Sequence, residues 1–222
     1  RALPSSGDAY DKDIALAIRY AVDQGADIIN MSFGKYVLDN REWIDDAIAY
    51  AEKHDVLIVH AAGDNYRDTG KDPYFPVKQG LGRERAFTNI ITVGASDMEG
   101  NPYINSNHGT GSVDLFAPGV QLYTTVCGDN YRKVTGTRIA APVVAGIAAM
   151  LKSYYPSLEA SRIRDILVRT ARQTPSATVP FPRDPTNSGG APTGGYDQLC
   201  VSGGIIDAAA AVKLAHEICE GK

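Results

Sequence analysis

An α/β fold is predicted, a three-layer, doubly wound, mostly parallel sheet in a single domain over residues 1–222, and three observations predict it. Short apolar runs alternate with stretches of helical periodicity, glycine and proline punctuate most of the junctions, and the apolar runs carry no strict alternation of polar and apolar residues. With 44% hydrophobic and 22% charged residues, the 222-residue chain can bury a core of its own.

The first helix is read over Asp11 to Gln24, where Ile14, Ala17, Ile18, Ala21 and Val22 form one stripe and Gly25 follows as a stop. Asp27 to Ser32 (DIINMS) reads as a strand, Asn40 to Lys53 as a helix through Trp43, Ile44, Ala47, Ile48 and Ala51, and Val56 to Ala62 (VLIVHAA) as a second strand ending at Gly63. Two further strands follow at Asn89 to Ala95 and Ser112 to Ala117, the latter stopped by Pro118 and Gly119. Val120 to Val126 and Asn130 to Thr135, rich in β-branched and aromatic residues, predict a hairpin across Cys127, Gly128 and Asp129. The most apolar helix is placed at Arg138 to Tyr155 and ends at Pro156. Two more helices are placed at Ser157 to Ala171 and Ile205 to Glu220. The five prolines and four glycines of Thr174 to Gly195 mark an irregular surface loop.

Composition narrows the chemistry. A net charge of -4 without a basic run argues against nucleic-acid binding. The longest apolar stretch, Ile139 to Leu151, contains Pro142 and is too short for the roughly 20 residues of a membrane span. Cys127, Cys200 and Cys219 form neither a metal-ligand spacing nor a disulfide framework. No metal or other cofactor is expected: there is no phosphate loop, no His-Glu-x-x-His, no Gly-x-Ser-x-Gly and no Cys-x-x-Cys, and no acidic loop suggests calcium. Of the histidines, His60 lies in an apolar strand and is expected to be a hydrogen-bonded core residue, while His54 and His216 fall on helices as solvated face residues. The chain starts at Arg1 without a leader, which suggests that an upstream segment precedes it.

Gly136-Thr137-Arg138-Ile139-Ala140-Ala141-Pro142-Val143-Val144-Ala145-Gly146 resembles the Gly-Thr-Ser-Met-Ala-x-Pro-x-Val-x-Gly signature of the subtilisin-like serine peptidases, the subtilases. Ala26 to Gly34 resembles the family's substrate-binding strand, Val59 to Asp64 its oxyanion-hole segment, and Ile91 to Ala95, Val113 to Gly119 and Ser202 to Lys213 match later segments in order. The likeness runs from about Ile14 to Leu214. It implies a subtilisin-like sheet without its N-terminal strands, since the family places its catalytic aspartate and histidine before the segment matching Ile14 to Gly34.

The resemblance puts Arg138 at the nucleophile's position and Asp64 at that of the oxyanion-hole asparagine. An always-protonated guanidinium has no lone pair with which to attack a carbonyl, and an ionised carboxylate offers acceptors alone. In the family both positions face the same substrate carbonyl, so Arg138 and Asp64 are expected to pair within about 4 Å. Asp68-Thr69-Gly70 and His108-Gly109-Thr110-Gly111 imitate the family's aspartate and histidine motifs, but the first follows a polar lead-in and the second opens no long helix. Peptide binding can outlive catalysis. The likeness implies an extended peptide added as a strand beside Ser32, Phe33 and Gly34, with a side-chain pocket walled by that strand and by Ala61, Ala62 and Gly63, next to Thr137. Phe33 suggests either an apolar peptide residue or a side chain that packs on the protein itself, and Arg138 an acidic or carboxylate-ended peptide.

Two functions therefore stand at the level of sequence. One is a subtilase domain that binds a peptide or protein without cleaving it. The other is a working secreted or periplasmic serine endopeptidase whose triad aspartate and histidine lie on a segment absent from this chain, in which case Arg138 is an engineered or erroneous residue in place of the serine. Loss of the preceding strands exposes Asp27 to Ser32 as a sheet edge, which invites an N-terminal segment, a partner chain or a second copy.

Overall fold

A computed structural model describes residues 9–174, 178–186 and 189–221. Helix α1 (Asp11–Asp23), strand β1 (Ile28–Met31), helix α2 (Arg41–Lys53), and strands β2 (Leu57–Ala61), β3 (Ile90–Ser96) and β4 (Leu115–Pro118) follow in order. The four strands form one wholly parallel sheet in the order β1-β2-β3-β4, with Ile29 opposite Ile58, Val59 opposite Ile91 and Val93 opposite Leu115. Hairpin strands β5 (Leu122–Val126) and β6 (Asn130–Val134) pair antiparallel, ahead of the long helix α3 (Thr137–Tyr154). Helix α4 (Ala160–Arg169), the two-residue strands β7 (Val179–Pro180) and β8 (Thr193–Gly194), and helix α5 (Ala208–Glu220) complete the chain.

Side chains of a strand point alternately to its two faces, and the two apolar cores follow that alternation. Leu57, Val59 and Ala61 of β2 and Ile91, Val93 and Ala95 of β3 face one core, which they share with Ala140, Ala141, Val144, Ala148 and Leu151 of α3, and with α4 and α5. Ile58 and Ile90 face the other core, with Ile14 and Ile18 of α1 and Ile44, Ala47 and Ile48 of α2. Helices thus cover both faces of the sheet, giving the three-layer α/β arrangement read from the sequence. Alanines in α3 let its backbone lie close to all four strands, and this brings the helix's first turn to the C-terminal ends of β1 and β2. That end of an open α/β sheet is where ligands bind.

Three boundaries move. Helix α4 begins at Ala160 instead of Ser157, because the Ala160 backbone N–H is held at 2.6 Å by Oδ1 of Asp55 on a neighbouring loop. Helix α5 begins at Ala208 instead of Ile205: Asp207 caps it, accepting the Ala210 N–H at 2.9 Å, while Ile205 makes backbone bridges to Phe116 and Arg172. Strand β4 begins at Leu115 because Ser112 and Val113 are tied into a turn by bonds to the Gly109 carbonyl. The proline-rich stretch is not wholly irregular, since β7 and β8 pair within it. Its residues 175–177 and 187–188, like the start of the chain at 1–8, lie outside the described residues. Among the described residues β1 pairs with β2 alone.

Candidate functional site

Residues Gly136, Thr137 and Arg138 open α3, and three contacts tie this turn to the strand ends. The Gly63 backbone N–H donates to Thr137 Oγ1 at 3.0 Å, the Thr137 backbone N–H donates to Asp64 Oδ1 at 2.8 Å, and Ser32 Oγ donates to the Arg138 carbonyl at 2.8 Å. The last bond has a cause in the sequence. Pro142 has no N–H to give the carbonyl four residues before it, which is that of Arg138, and the Ser32 hydroxyl supplies the missing donor.

Asp64 meets the free N–H groups at the N-terminal end of α3 and supplies one of them with an acceptor. Gly136 permits the approach: its φ is +142°, and a Cβ there would stand 2.6 Å from Asp64 Oδ2. Arg138 Nε lies 3.9 Å from Asp64 Oδ2, within the expected distance but at its limit, and the Arg138 side chain is 63% exposed against 22% for Asp64. A pair so open to water contributes little. Asp64→Ala is therefore expected to cost about 1 kcal/mol through the lost helix cap, and Arg138→Ala less than about 0.5 kcal/mol. Urea unfolding of the two variants checks this, and equal losses would show that the ion pair, not the cap, holds the turn.

Ser32, Phe33 and Gly34 leave β1, and Ala61 ends β2 just before Ala62 and Gly63; all are brought to the same place. Phe33 is half-buried and packs on the α1/α2 core, which explains its bulk without a peptide. The ring of Tyr74 lies against both Gly34 and Gly63: a Cβ on Gly63 would meet it at 3.1 Å, and one on Gly34 would overlap it. Behind it, the His60 ring stacks at 5.7 Å between centroids and 22° between planes. His60 is fully buried, as a core residue should be, but neither ring nitrogen finds a partner in ordinary hydrogen-bond geometry. The Phe33 backbone approaches the ring, yet burial dominates and holds the imidazole neutral, its pKa lowered to about 3. Burial likewise pushes the Tyr74 phenol up to about 12. Tyr74 was not singled out in the sequence, and neither was Asn107. Asn107 is buried and fastens the segment after β2 by donating to the Ala62 carbonyl at 2.7 Å and accepting the Asn65 and Arg67 backbone N–H groups.

The two imitation motifs lie side by side, joined by backbone bonds from Thr69 N–H to the His108 carbonyl and from His108 N–H to the Arg67 carbonyl. Their side chains do other work. Asp68 accepts its own loop's Gly70 N–H at 3.1 Å and faces Lys71 at 3.3 Å, and burial lowers the His108 pKa. His54 caps the C-terminal end of α2, exposed, and His216 is exposed on α5. The cysteines are unbridged: Cys127 exposed, Cys200 buried with its thiol pKa raised by burial, and Cys219 between. Among the described residues no three His, Cys, Asp or Glu side chains cluster as metal ligands would.

The model of the subtilase family of peptidases matches residues 1–194. The thermophilic serine proteinase of Bacillus sp. (strain AK1) is 38% identical over 153 residues, which is 69% of this chain and 35% of that protein. Subtilisin DY of Bacillus licheniformis is 32% identical over 171 residues, 77% of this chain and 59% of that protein. The chain thus spans about a third to three fifths of the length of these two curated relatives. Among solved structures, the patellamide maturation protease superposes with a TM-score of 0.69 at 25% identity over 94% of this chain and 70% of that one. The prenylagaramide maturation protease gives 0.71 at 22% identity over 95% and 70%, a likeness of fold.

Proposed function

The chain belongs to the subtilase family, and from that premise we propose that it is a subtilisin-like domain which holds an extended peptide without cutting it. The observation that carries the reading is the turn at Gly136 to Arg138, pinned between the ends of β1 and β2 with an exposed guanidinium at its tip. Arg138 is read as standing where the family keeps its serine, and a guanidinium forms no acyl-enzyme. Asp64 supports the same reading. Its Oδ1 already accepts the Thr137 N–H, so the carboxylate serves as an acceptor at a place where cleavage calls for a donor to the oxyanion.

The peptide is assigned to the strand position beside Ser32 to Gly34. Tyr74, lying against Gly34 and Gly63, favours glycine or alanine where a side chain would enter between those segments. Arg138 favours a carboxylate, which a guanidinium grips with two parallel hydrogen bonds. An extracytoplasmic setting goes with the family likeness, and no helix among the described residues is long and apolar enough to cross a membrane.

The test pairs binding with turnover. The natural chain is expected to release no p-nitroaniline from a tetrapeptide anilide, and to bind a free-acid peptide roughly tenfold more tightly than its C-terminal amide. Arg138→Ala should erase that preference. Hydrolysis above the buffer rate, or equal affinity for acid and amide, overturns the proposal.

A further inference from the structure

Between the loop spanning Thr69 to Thr88 and the body of the domain lies a cavity of about 700 Å³, within the size range of small-molecule sites. Phe75, Phe87, Pro76 and Val77 give it apolar walls. Three cations, Arg41, Lys78 and Arg164, also line it, and among the described residues no carboxylate does.

The acids that answer these cations lie behind the wall. Lys78 Nζ and Arg164 Nη2 share one oxygen, Oδ1 of Asp114, at 2.9 and 2.5 Å, and the second oxygen accepts the Thr92 backbone N–H. Arg41 faces Asp45 at 3.3 Å, and the same Asp45 oxygen also accepts the Leu81 N–H. Three cations thus stand against two carboxylates at a wall where Lys78 and Arg164 are only 12% and 22% exposed. Charges are less screened in such a place than at an open surface, so the surplus positive charge favours an anion. An ammonium carries three donors, of which Asp114 takes one.

The geometry points to a binding site for a small amphipathic carboxylate, its head on Lys78 and Arg164 and its apolar body against Phe75 and Phe87. Inorganic phosphate would leave the aromatic walls unmatched, and a neutral hydrocarbon would leave the surplus charge unanswered.

Octanoate is the probe, titrated calorimetrically into the protein against octylamine, 1-octanol and inorganic phosphate. Octanoate is expected to bind saturably at one site, with the other three at least tenfold weaker. Lys78→Gln removes the surplus cation while Arg164 stays on Asp114, and should weaken octanoate at least tenfold with the far-ultraviolet circular dichroism unchanged. Gly111→Trp is a second, independent block. Gly111 lines the cavity at its exposed side, and a Cβ there meets no atom within 4 Å, so the indole can fill the mouth without disturbing the fold. The inference is overturned by the absence of saturable octanoate binding, by equal binding of octylamine, or by full octanoate affinity in both variants.

Discussion

Asp114→Ala is expected to lose about 3–5 kcal/mol of stability, the range for removing one partner of a buried ionic cluster. Asp114 has no solvent exposure, and its two oxygens hold three donors from three separate elements: Lys78 from the long loop, Arg164 from α4 and the Thr92 N–H from β3. Alanine leaves two cations facing each other without their shared carboxylate, and a buried backbone N–H without an acceptor. Lys78→Gln should cost less, since Arg164 still compensates the acid and the uncharged glutamine leaves no unpaired ion behind. Urea unfolding followed by the fluorescence of Trp43, the one tryptophan, measures both. Comparable losses in the two variants would mean that the loop's packing, and not the shared carboxylate, holds Lys78 in place.

That cluster also shows where reading from sequence stops. The strands could be found because each is a short apolar run whose neighbours are glycines or turn residues, and the helices because their apolar stripes repeat at helical spacing; both signals are local. The signature around Arg138 was equally legible because it is carried by residue types, although the partners that use it are distant: Gly136 admits Asp64 to the helix end, and Pro142 frees the carbonyl that Ser32 satisfies. The start of α4 was misplaced because its decisive partner is distant, Asp55 holding Ala160, while that of α5 turned on a local cap, Asp207, that was not weighed. Tyr74 and Asn107 sit in polar, glycine-bearing loops that look alike from the sequence. Their importance comes from contacts to distant residues: Tyr74 with Gly34, 40 positions away, and Asn107 with Ala62 and Tyr36, 45 and 71 positions away. His60 was read correctly as core, but its lack of hydrogen-bond partners depends on what Gly34, Phe33 and Tyr74 leave open around it.

The same histidine makes the second large effect a dependence on acid. With a folded pKa of about 3 against an ordinary 6.5, the native state refuses a proton that the unfolded chain accepts. Between those values the unfolded state binds more protons, so stability rises with pH. It is complete above about pH 6.5 and falls as the pH drops toward 3, by up to about 1.4 kcal/mol per unit. From pH 7 to pH 4.5 this one group should remove about 2.5 kcal/mol. His60→Ala loses packing at every pH but is freed of that slope, so its deficit relative to the natural chain should shrink by about the same 2.5 kcal/mol on acidification. His108, whose pKa burial also lowers, leaves a smaller acid dependence in both proteins. Unfolding free energies of the two chains at pH 7 and 4.5 decide it, and parallel pH profiles would show that His60 is already reached by water or a proton partner. Because His60 lies directly behind Gly34 and Tyr74, forcing a charge onto it disturbs the wall of the peptide site, and affinity for peptide should fall only over the acid range in which the fold itself weakens.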